Sequence, residues 1–246
     1  MDYFSDQKGI IRRFINEEGA WKNHLTNTKN YITECLKDKK LKSVAILGSG
    51  WLLDVPLEFL INNFEKIILF DINHPKQIKH KVRKFENIEL ICEDISGGAI
   101  RSVYNLVKIY KSEKYKTDIK EIVCPGFKPD EQPEYIISLN IINQLDILLV
   151  DYLKKHSIYN ENELNCLRSR VQKSHIDSLI PGKSCLITDY EEIIYNADMT
   201  LSSRKNLIFT ELPEGKNKKS WKWNFDLSGS YHHDKKVIFN VLAMEL

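Results

Sequence analysis

The spacing of apolar residues changes at about residue 40 of this 246-residue chain. Before that point apolar residues recur three and four positions apart, which predicts helix. After it, short aliphatic runs alternate with helical patterns, as expected for buried parallel strands joined by helices. The predicted strands cover residues 41–47, 66–71, 87–92, 135–139 and 184–188, and the predicted helices cover 54–63, a basic stretch ending near 85, 99–110, 143–156 and 161–179.

The alternation of strands and helices implies βαβ units and right-handed crossovers. The chain near its end differs, because residues 207–210 and 236–243 predict two strands with no helix between them. We expect these two to form an antiparallel pair at one edge of the sheet. The prediction is therefore an α/β fold with seven strands, mostly parallel, and helices on both faces.

Residues 111–134 contain three prolines and one glycine, so they predict loop, with a short strand at 121–124. The helical first 40 residues cannot join a parallel sheet. We expect them to form an N-terminal extension (residues 1–40) attached to a domain that covers residues 41–246.

Composition narrows the class of partner. The 36 basic and 34 acidic side chains leave a net charge of +2, which gives no support for a polyanionic partner and favours a small molecule over nucleic acid. The five cysteines are widely spaced, and neither they nor His232 and His233 match a metal-ligand spacing, so no metal is expected. No signal peptide or membrane-spanning stretch is evident, which favours a soluble cytoplasmic protein.

The first predicted strand ends in Gly48, Ser49 and Gly50. Two glycines one residue apart allow a sharp turn and a close approach of the backbone to a ligand, although a purely structural turn remains an alternative. A full dinucleotide motif needs a third glycine, and this chain has Leu53 at that position, which weakens the case for a bound pyrophosphate.

Carboxylates follow the next two predicted strands. Asp71 comes 21 residues after Gly50 and is suited to accept both hydroxyls of a ribose. Glu93 and Asp94 end the third strand and could accept from the amine of an adenine. The alternative for each is a carboxylate that caps a turn or a helix.

These three strand ends, together with the Pro-Gly turn at 181–182 and the strand after it, resemble the class I S-adenosylmethionine-dependent methyltransferases. The resemblance covers roughly residues 41–246 and implies a Rossmann-like sheet whose last strand is reversed. It implies S-adenosylmethionine as cofactor and in-line methyl transfer to an acceptor that the sequence does not identify. The residues it assigns to the cofactor are Gly48, Ser49 and Gly50 for methionine, Asp71 for ribose, and Glu93, Asp94, Ile72 and Ile95 for adenine.

The sequence departs from the family pattern in two places. No acidic residue precedes the glycine turn, and Asp54 is a candidate to compensate by binding the amino group of methionine. The fourth strand is followed by Asn140-Ile-Ile-Asn143, which lacks the two prolines and the aromatic residue of enzymes that methylate nucleic-acid amines. Asn140 is expected to orient cofactor or substrate, or else to cap the next helix.

Trp21 and His24 share a helical face in the extension. We expect them to cover the cofactor site and to bind the methionine carboxylate; the alternative is a core tryptophan beside a surface histidine. The extension as a whole is predicted to form a lid. The segments 111–134 and 152–172 are expected to form the acceptor wall.

Other functions stay open on the sequence alone. A nicotinamide-dependent oxidoreductase shares the glycine turn and the ribose carboxylate, and a non-catalytic binding module would retain the fold without activity. Candidate general bases are His24, Tyr135 and His175. The segment 216–223 mixes basic and aromatic residues and suits a strand that alternates Trp221 and Trp223 better than a base-stacking surface.

Overall fold

A computed structural model describes residues 3–246; the first two residues of the predicted extension lie outside the described part. The chain forms seven α-helices and eight strands in that part. The helices are α1 (Tyr3–Asn16), α2 (Lys22–Leu36), α3 (Leu57–Asn63), α4 (Lys76–Val82), α5 (Ala99–Glu113), α6 (Gln144–Lys155) and α7 (Glu161–Ser178). The strands are β1 (Ser43–Leu47), β2 (Lys66–Asp71), β3 (Ile88–Cys92), β4 (Tyr135–Leu139), β5 (Ser184–Asn196), β6 (Leu201–Asn206), β7 (Lys216–Asp226) and β8 (Lys235–Glu245).

All eight strands form one sheet in the order β3-β2-β1-β4-β5-β8-β7, with β6 paired to β5 outside this path. The first five are parallel, while β8 runs antiparallel to both β5 and β7. This strand arrangement confirms the predicted α/β class and the reversed strand near the end of the chain. The sheet has eight strands instead of the seven predicted, and β6 is the additional one. Each βαβ unit brings the carboxyl ends of its strands to the same edge.

Two helical layers cover the sheet. Alternate residues of each inner strand face opposite sides, so Ala45 and Leu47 of β1 belong to one core cluster and Val44 and Ile46 to the other. Helices α5, α6 and α7 bury their apolar residues in the first cluster, and α2, α3 and α4 bury theirs in the second. Residues of α2 such as Ile32 are fully buried, so α2 is part of this second layer.

The helix α1 differs from α2, because none of its residues is fully buried. The extension therefore consists of one helix built into the domain and one helix that lies on its surface.

The structure corrects four sequence predictions. Residues 207–210 are not a strand, and β8 pairs instead with β5 on one side and with β7 on the other. A strand was predicted at 216–223, but its pairing with β8 was not, because its first half is exposed and rich in lysine, as edge strands commonly are. The predicted strand at 121–124 is replaced by a single 3₁₀ turn at Ile119–Glu121, followed by a proline. The helix predicted from residue 54 begins at Leu57, directly after Pro56, because a proline disfavours a helical conformation in the residue before it. The strand predicted to end at 188 continues to Asn196, where β6 and β8 flank it.

Candidate cofactor and substrate site

A cavity of about 540 Å³ opens at the carboxyl ends of β1, β2, β3 and β4 and is covered by α1. Every residue that the sequence singled out for the cofactor lines this cavity. These residues are Trp21, His24, Gly48, Ser49, Gly50, Asp71, Ile72, Glu93, Asp94, Ile95 and Asn140. Their roles toward a ligand stay predictions, but the fold brings all of them to one place.

The glycine turn is held between two neighbouring strands. The backbone N–H groups of Gly48 and Ser49 both donate to the carbonyl of Phe70 in β2, at 3.0 and 3.1 Å. The φ angle of Gly48 is +85°, and a Cβ atom there would lie 2.8 Å from the carbonyl oxygen of Leu139 in β4. Only glycine fits this position without strain.

Asp71 is the best-connected acidic group of the site. Its side chain is buried; Oδ2 accepts from the backbone N–H of Gly50 at 2.8 Å, and Oδ1 accepts from Nε2 of Gln7 in α1 at 2.8 Å. Burial raises the pKa of this carboxyl. Oδ1 also accepts from the backbone N–H of Asn73 at 3.4 Å. A carboxylate has about four lone-pair positions, so the position that is still open lies on Oδ2.

Gln7 was missed by the sequence reasoning. Its side-chain amide also donates to the backbone carbonyl of Asn73, and the backbone carbonyl of Gln7 accepts the indole N–H of Trp51 at 2.7 Å. Nothing in the helical pattern marks a glutamine as a contact to a residue 64 positions away. The contact ties α1 directly to the predicted ribose carboxylate.

The end of β3 supplies Glu93 and Asp94. Oδ1 of Asp94 accepts from the backbone N–H of Ser96 at 2.9 Å, so this residue does cap a turn, as the alternative reading proposed. Desolvation and the nearby Asp130 and Asp94 raise the pKa of Glu93.

Asn140 links the end of β4 to the glycine turn. Its Nδ2 donates to Oδ2 of Asp54 at 3.0 Å, while its Oδ1 is buried without a hydrogen-bond partner. Its φ of +48° is unusual for a side-chain-bearing residue and marks a constrained backbone. Burial raises the pKa of Asp54.

Trp21 and His24 are both buried, so His24 is not a surface histidine. The indole of Trp21 donates to the carbonyl of Phe225 at 2.9 Å. The ring of His24 stacks on Trp223 at 4.1 Å and accepts the indole N–H of Trp221 on Nδ1. Burial lowers the pKa of His24 to about 3, so its neutral ring carries the proton on Nε2 and is a donor rather than a base.

The other two candidate bases lie elsewhere. Tyr135 is buried at the amino end of β4, whereas the cavity lies at the carboxyl ends of the strands. His175 is buried in the core, where its Nε2 lies 2.8 Å from Oγ of Ser138. Burial raises the pKa of the Tyr135 phenol and lowers that of His175 to about 4. Neither lines the cavity.

The predicted acceptor wall is wrong. Within the described chain, no residue of 111–134 or 152–172 lines the cavity. Residues such as Ile119 and Phe127 are instead buried in the first core cluster. The wall opposite the glycine turn comes from α1, from the first two turns of α6 and from aromatic residues of β7, β8 and the loop between them.

The segment 216–223 belongs to β7, as its alternating tryptophans predicted. Within residues 3–246, no helix has the length and apolar character needed to cross a membrane. The same part of the chain holds no group of three or more His, Cys, Asp or Glu side chains arranged to bind a metal ion.

Comparison with known proteins gives remote structural similarities. No family model and no curated protein sequence matches the chain. The chain is similar to the N-methyltransferase NodS from Bradyrhizobium japonicum WM9 in complex with S-adenosyl-L-homocysteine, at 10% identity over 88% of this chain and 85% of that chain, with a TM-score of 0.37. It is also similar to 1,6-didemethyltoxoflavin-N1-methyltransferase from Burkholderia thailandensis, at 8% identity over 98% of this chain and 87% of that chain, with a TM-score of 0.39. Similarity to coclaurine N-methyltransferase is at 8% identity over 91% of this chain and 71% of that chain, with a TM-score of 0.38. Similarities this remote carry no weight for what this chain binds.

Proposed function

We propose that this chain is a methyltransferase that uses S-adenosylmethionine and acts on a small molecule. The observation that carries the proposal is the position of Asp71. It lies beside the glycine turn with Oδ2 fixed by the N–H of Gly50, and Oδ2 keeps one open position for a ribose hydroxyl. A second hydroxyl can replace the long 3.4 Å contact between Oδ1 and the N–H of Asn73.

The remaining residues fit the other parts of the cofactor. Glu93 and Asp94 follow the next strand and suit the exocyclic amine of adenine, with Ile72 and Ile95 available to pack on its faces. The methionine end fits the glycine turn, where Asp54 and the unpartnered Oδ1 of Asn140 can accept from its ammonium group.

The cofactor supplies an activated methyl group on a sulfonium. The protein's part is to bind, orient and exclude water, because methyl transfer depends mostly on positioning. His24 is suited to donate from Nε2 to the methionine carboxylate, since its ring is held neutral and oriented by Trp221 and Trp223.

A nicotinamide cofactor fits this cavity less well. Dinucleotide sites place a pyrophosphate at the N-terminus of the helix that follows the glycine turn. Here α3 begins at Leu57, seven residues after Gly50, so that helix end is separated from the turn. Seven carboxyl side chains also line the cavity, and they oppose a pyrophosphate.

We propose further that the lid is α1 rather than the whole of residues 1–40. Gln7 contacts Asp71 at one end of the cavity, and Arg13 contacts Phe225 and Tyr231 at the other. Six residues of helix span about 9 Å, so α1 crosses the mouth between the two contacts. The helix α2 instead belongs to the helical layer.

Calorimetric titration with S-adenosylmethionine and with its demethylated product tests the proposal. We expect micromolar binding of both. Fluorescence titration with a reduced nicotinamide cofactor, which we expect to show no binding, is the matched comparison. Absence of heat with either methionine-derived ligand, or binding of the nicotinamide alone, would overturn the assignment.

A further inference from the structure

Three aromatic rings form one end of the cavity, away from Asp71. We call Phe225, Tyr231 and Phe239 the ring cluster. The ring centroid of Phe225 lies 5.2 Å from that of Tyr231 and 4.6 Å from that of Phe239. The backbone N–H of Tyr231 donates to Oδ2 of the fully buried Asp226 at 2.6 Å, which holds the loop that carries this ring.

The ring cluster already holds a positive charge. The guanidinium carbon of Arg13 lies 4.6 Å from the ring centroids of both Phe225 and Tyr231. Such contacts are attractive because the ring faces carry negative charge, and they strengthen when the cation is shielded from water. Arg13 belongs to α1, which has no fully buried residue, so this cation comes from the least buried helix of the fold.

Two buried hydrogen-bond acceptors line the same cavity. Asn143 and Asp189 are only 4% and 5% exposed, and Nδ2 of Asn143 donates to Oδ2 of Asp189 at 2.7 Å. Oδ1 of each residue is buried and has no hydrogen-bond partner. Buried acceptors normally accept a hydrogen bond. Both oxygens are therefore suited to accept one from a donor group of a bound molecule.

The charge of the cavity wall has one dominant sign. Among residues 3–246, Arg13 is the single Lys or Arg side chain in the wall. The acidic side chains that line it are Asp6, Asp54, Asp71, Glu93, Asp94, Asp151 and Asp189. A negatively charged acceptor would be repelled, whereas a positively charged one would be attracted.

Resting on the proposed methyltransferase function, we propose that the acceptor is an amine with an apolar body. Its nitrogen donates to Oδ1 of Asn143 and Oδ1 of Asp189, and its body packs on the ring cluster in the space that the Arg13 side chain fills here. In the reaction the amine first gives up a proton to Asp189. The nitrogen lone pair then forms the new C–N bond while the C–S bond breaks, and the bonding pair returns to sulfur.

The test uses the full chain saturated with the demethylated cofactor, whose binding is measured first. Matched sets of one skeleton carrying an amine, an alcohol or a carboxylate, such as 2-phenylethylamine, 2-phenylethanol and 3-phenylpropanoate, are titrated and followed by tryptophan fluorescence. Several skeletons are used, since the body of the acceptor is not fixed by these contacts. We expect the amine to bind most tightly within each set that binds.

Three variants sharpen the result. Asp189→Asn should weaken amine binding by about tenfold or more and leave binding of the demethylated cofactor intact, which also shows that the variant is folded. Glu191→Gln makes a similar charge change two residues away, outside the cavity wall, and should leave amine binding unchanged. Arg13→Ala should tighten amine binding by about threefold or more, because a competing cation is removed while the Gln7–Asp71 contact still holds α1 over the cavity.

The outcomes separate the two proposals. Failure of the demethylated cofactor to bind overturns the methyltransferase assignment itself. If that cofactor binds but alcohols or carboxylates are preferred, or no amine binds, the amine proposal is wrong. Weaker binding of carboxylates in Arg13→Ala, with no gain for amines, would show that Arg13 anchors an anion instead.

Discussion

Replacement of Asp71 by asparagine isolates the charge of the predicted ribose carboxylate. The amide oxygen of an asparagine can still accept from the N–H of Gly50, as Oδ2 does now. The amide nitrogen takes the place of the second oxygen, so it faces Gln7 and the ribose with a donor where an acceptor is needed.

The size of the effect follows from that exchange. At least one hydrogen bond to a charged group is lost, which is about 1.5–3 kcal/mol. The affinity for the demethylated cofactor should therefore fall roughly 10- to 150-fold. Burial raises the pKa of Asp71, so removing its charge favours the fold, while loss of the hydrogen bond from Gln7 opposes it. The net change in melting temperature should therefore be small.

Isothermal titration calorimetry gives the affinity, and thermal unfolding of the same samples verifies the fold. Asp177→Asn is the matched control: this aspartate is exposed on α7 and pairs with Lys173. Its affinity should equal that of the parent. An Asp71→Asn protein that binds the cofactor as tightly as the parent would refute the role given to Asp71.

Three further predictions concern the turn, the lid and the acidic wall. Gly48→Ala should cost more than about 2 kcal/mol of stability in chemical denaturation, because it combines a left-handed backbone with a Cβ placed 2.8 Å from the carbonyl oxygen of Leu139. Gly9→Ala meets open space and should cost nothing. Equal costs for the two variants would contradict the tight turn. Deletion of residues 1–16 should weaken cofactor binding by about tenfold or more in calorimetry while the domain stays folded, and unchanged affinity would show that α1 is not a lid. Burial raises the pKa of Asp189 from 3.8 to about 6, so the folded state holds this proton more tightly than the unfolded chain and loses stability as the pH rises between those values. Asp189→Asn should then be more stable than the parent by up to about 3 kcal/mol above the pKa of the folded state, and this gain should vanish near pH 4. Urea unfolding of the two proteins at high pH and near pH 4 measures the difference in unfolding free energy. A difference that does not change with pH would be contrary to this account.

The parallel part of the fold could be predicted because its strands carry a strong local signal. Strands such as β2 and β4 are continuous apolar runs, and their observed bounds coincide with the predicted ones. The polar edge strand β7 carries no such signal over its exposed half, and its pairing with β8 depends on contacts that are distant in sequence. The extension was predicted as one unit because helical spacing does not reveal that α2 is buried while α1 is not.

The site shows the same division. The glycine turn and the carboxylates at strand ends follow from where parallel strands must end, so the residues of that half could be named from the sequence. Gln7 and Arg13 lie on an ordinary amphipathic helix, and Asp189 looks like any strand-end acid. Their place in the site depends on the path of α1 and on the aromatic residues that β7 and β8 bring over the cavity, which no local pattern encodes.

A crystal structure with the demethylated cofactor tests the central claim most directly. We expect the ribose hydroxyls to donate to the carboxylate of Asp71, the adenine to lie beside Asp94, and the sulfur to lie between the glycine turn and Asn140. The vacant methyl position should then face Asn143 and Asp189. A cofactor bound outside this cavity, or bound in it with its ribose away from Asp71, would contradict the account.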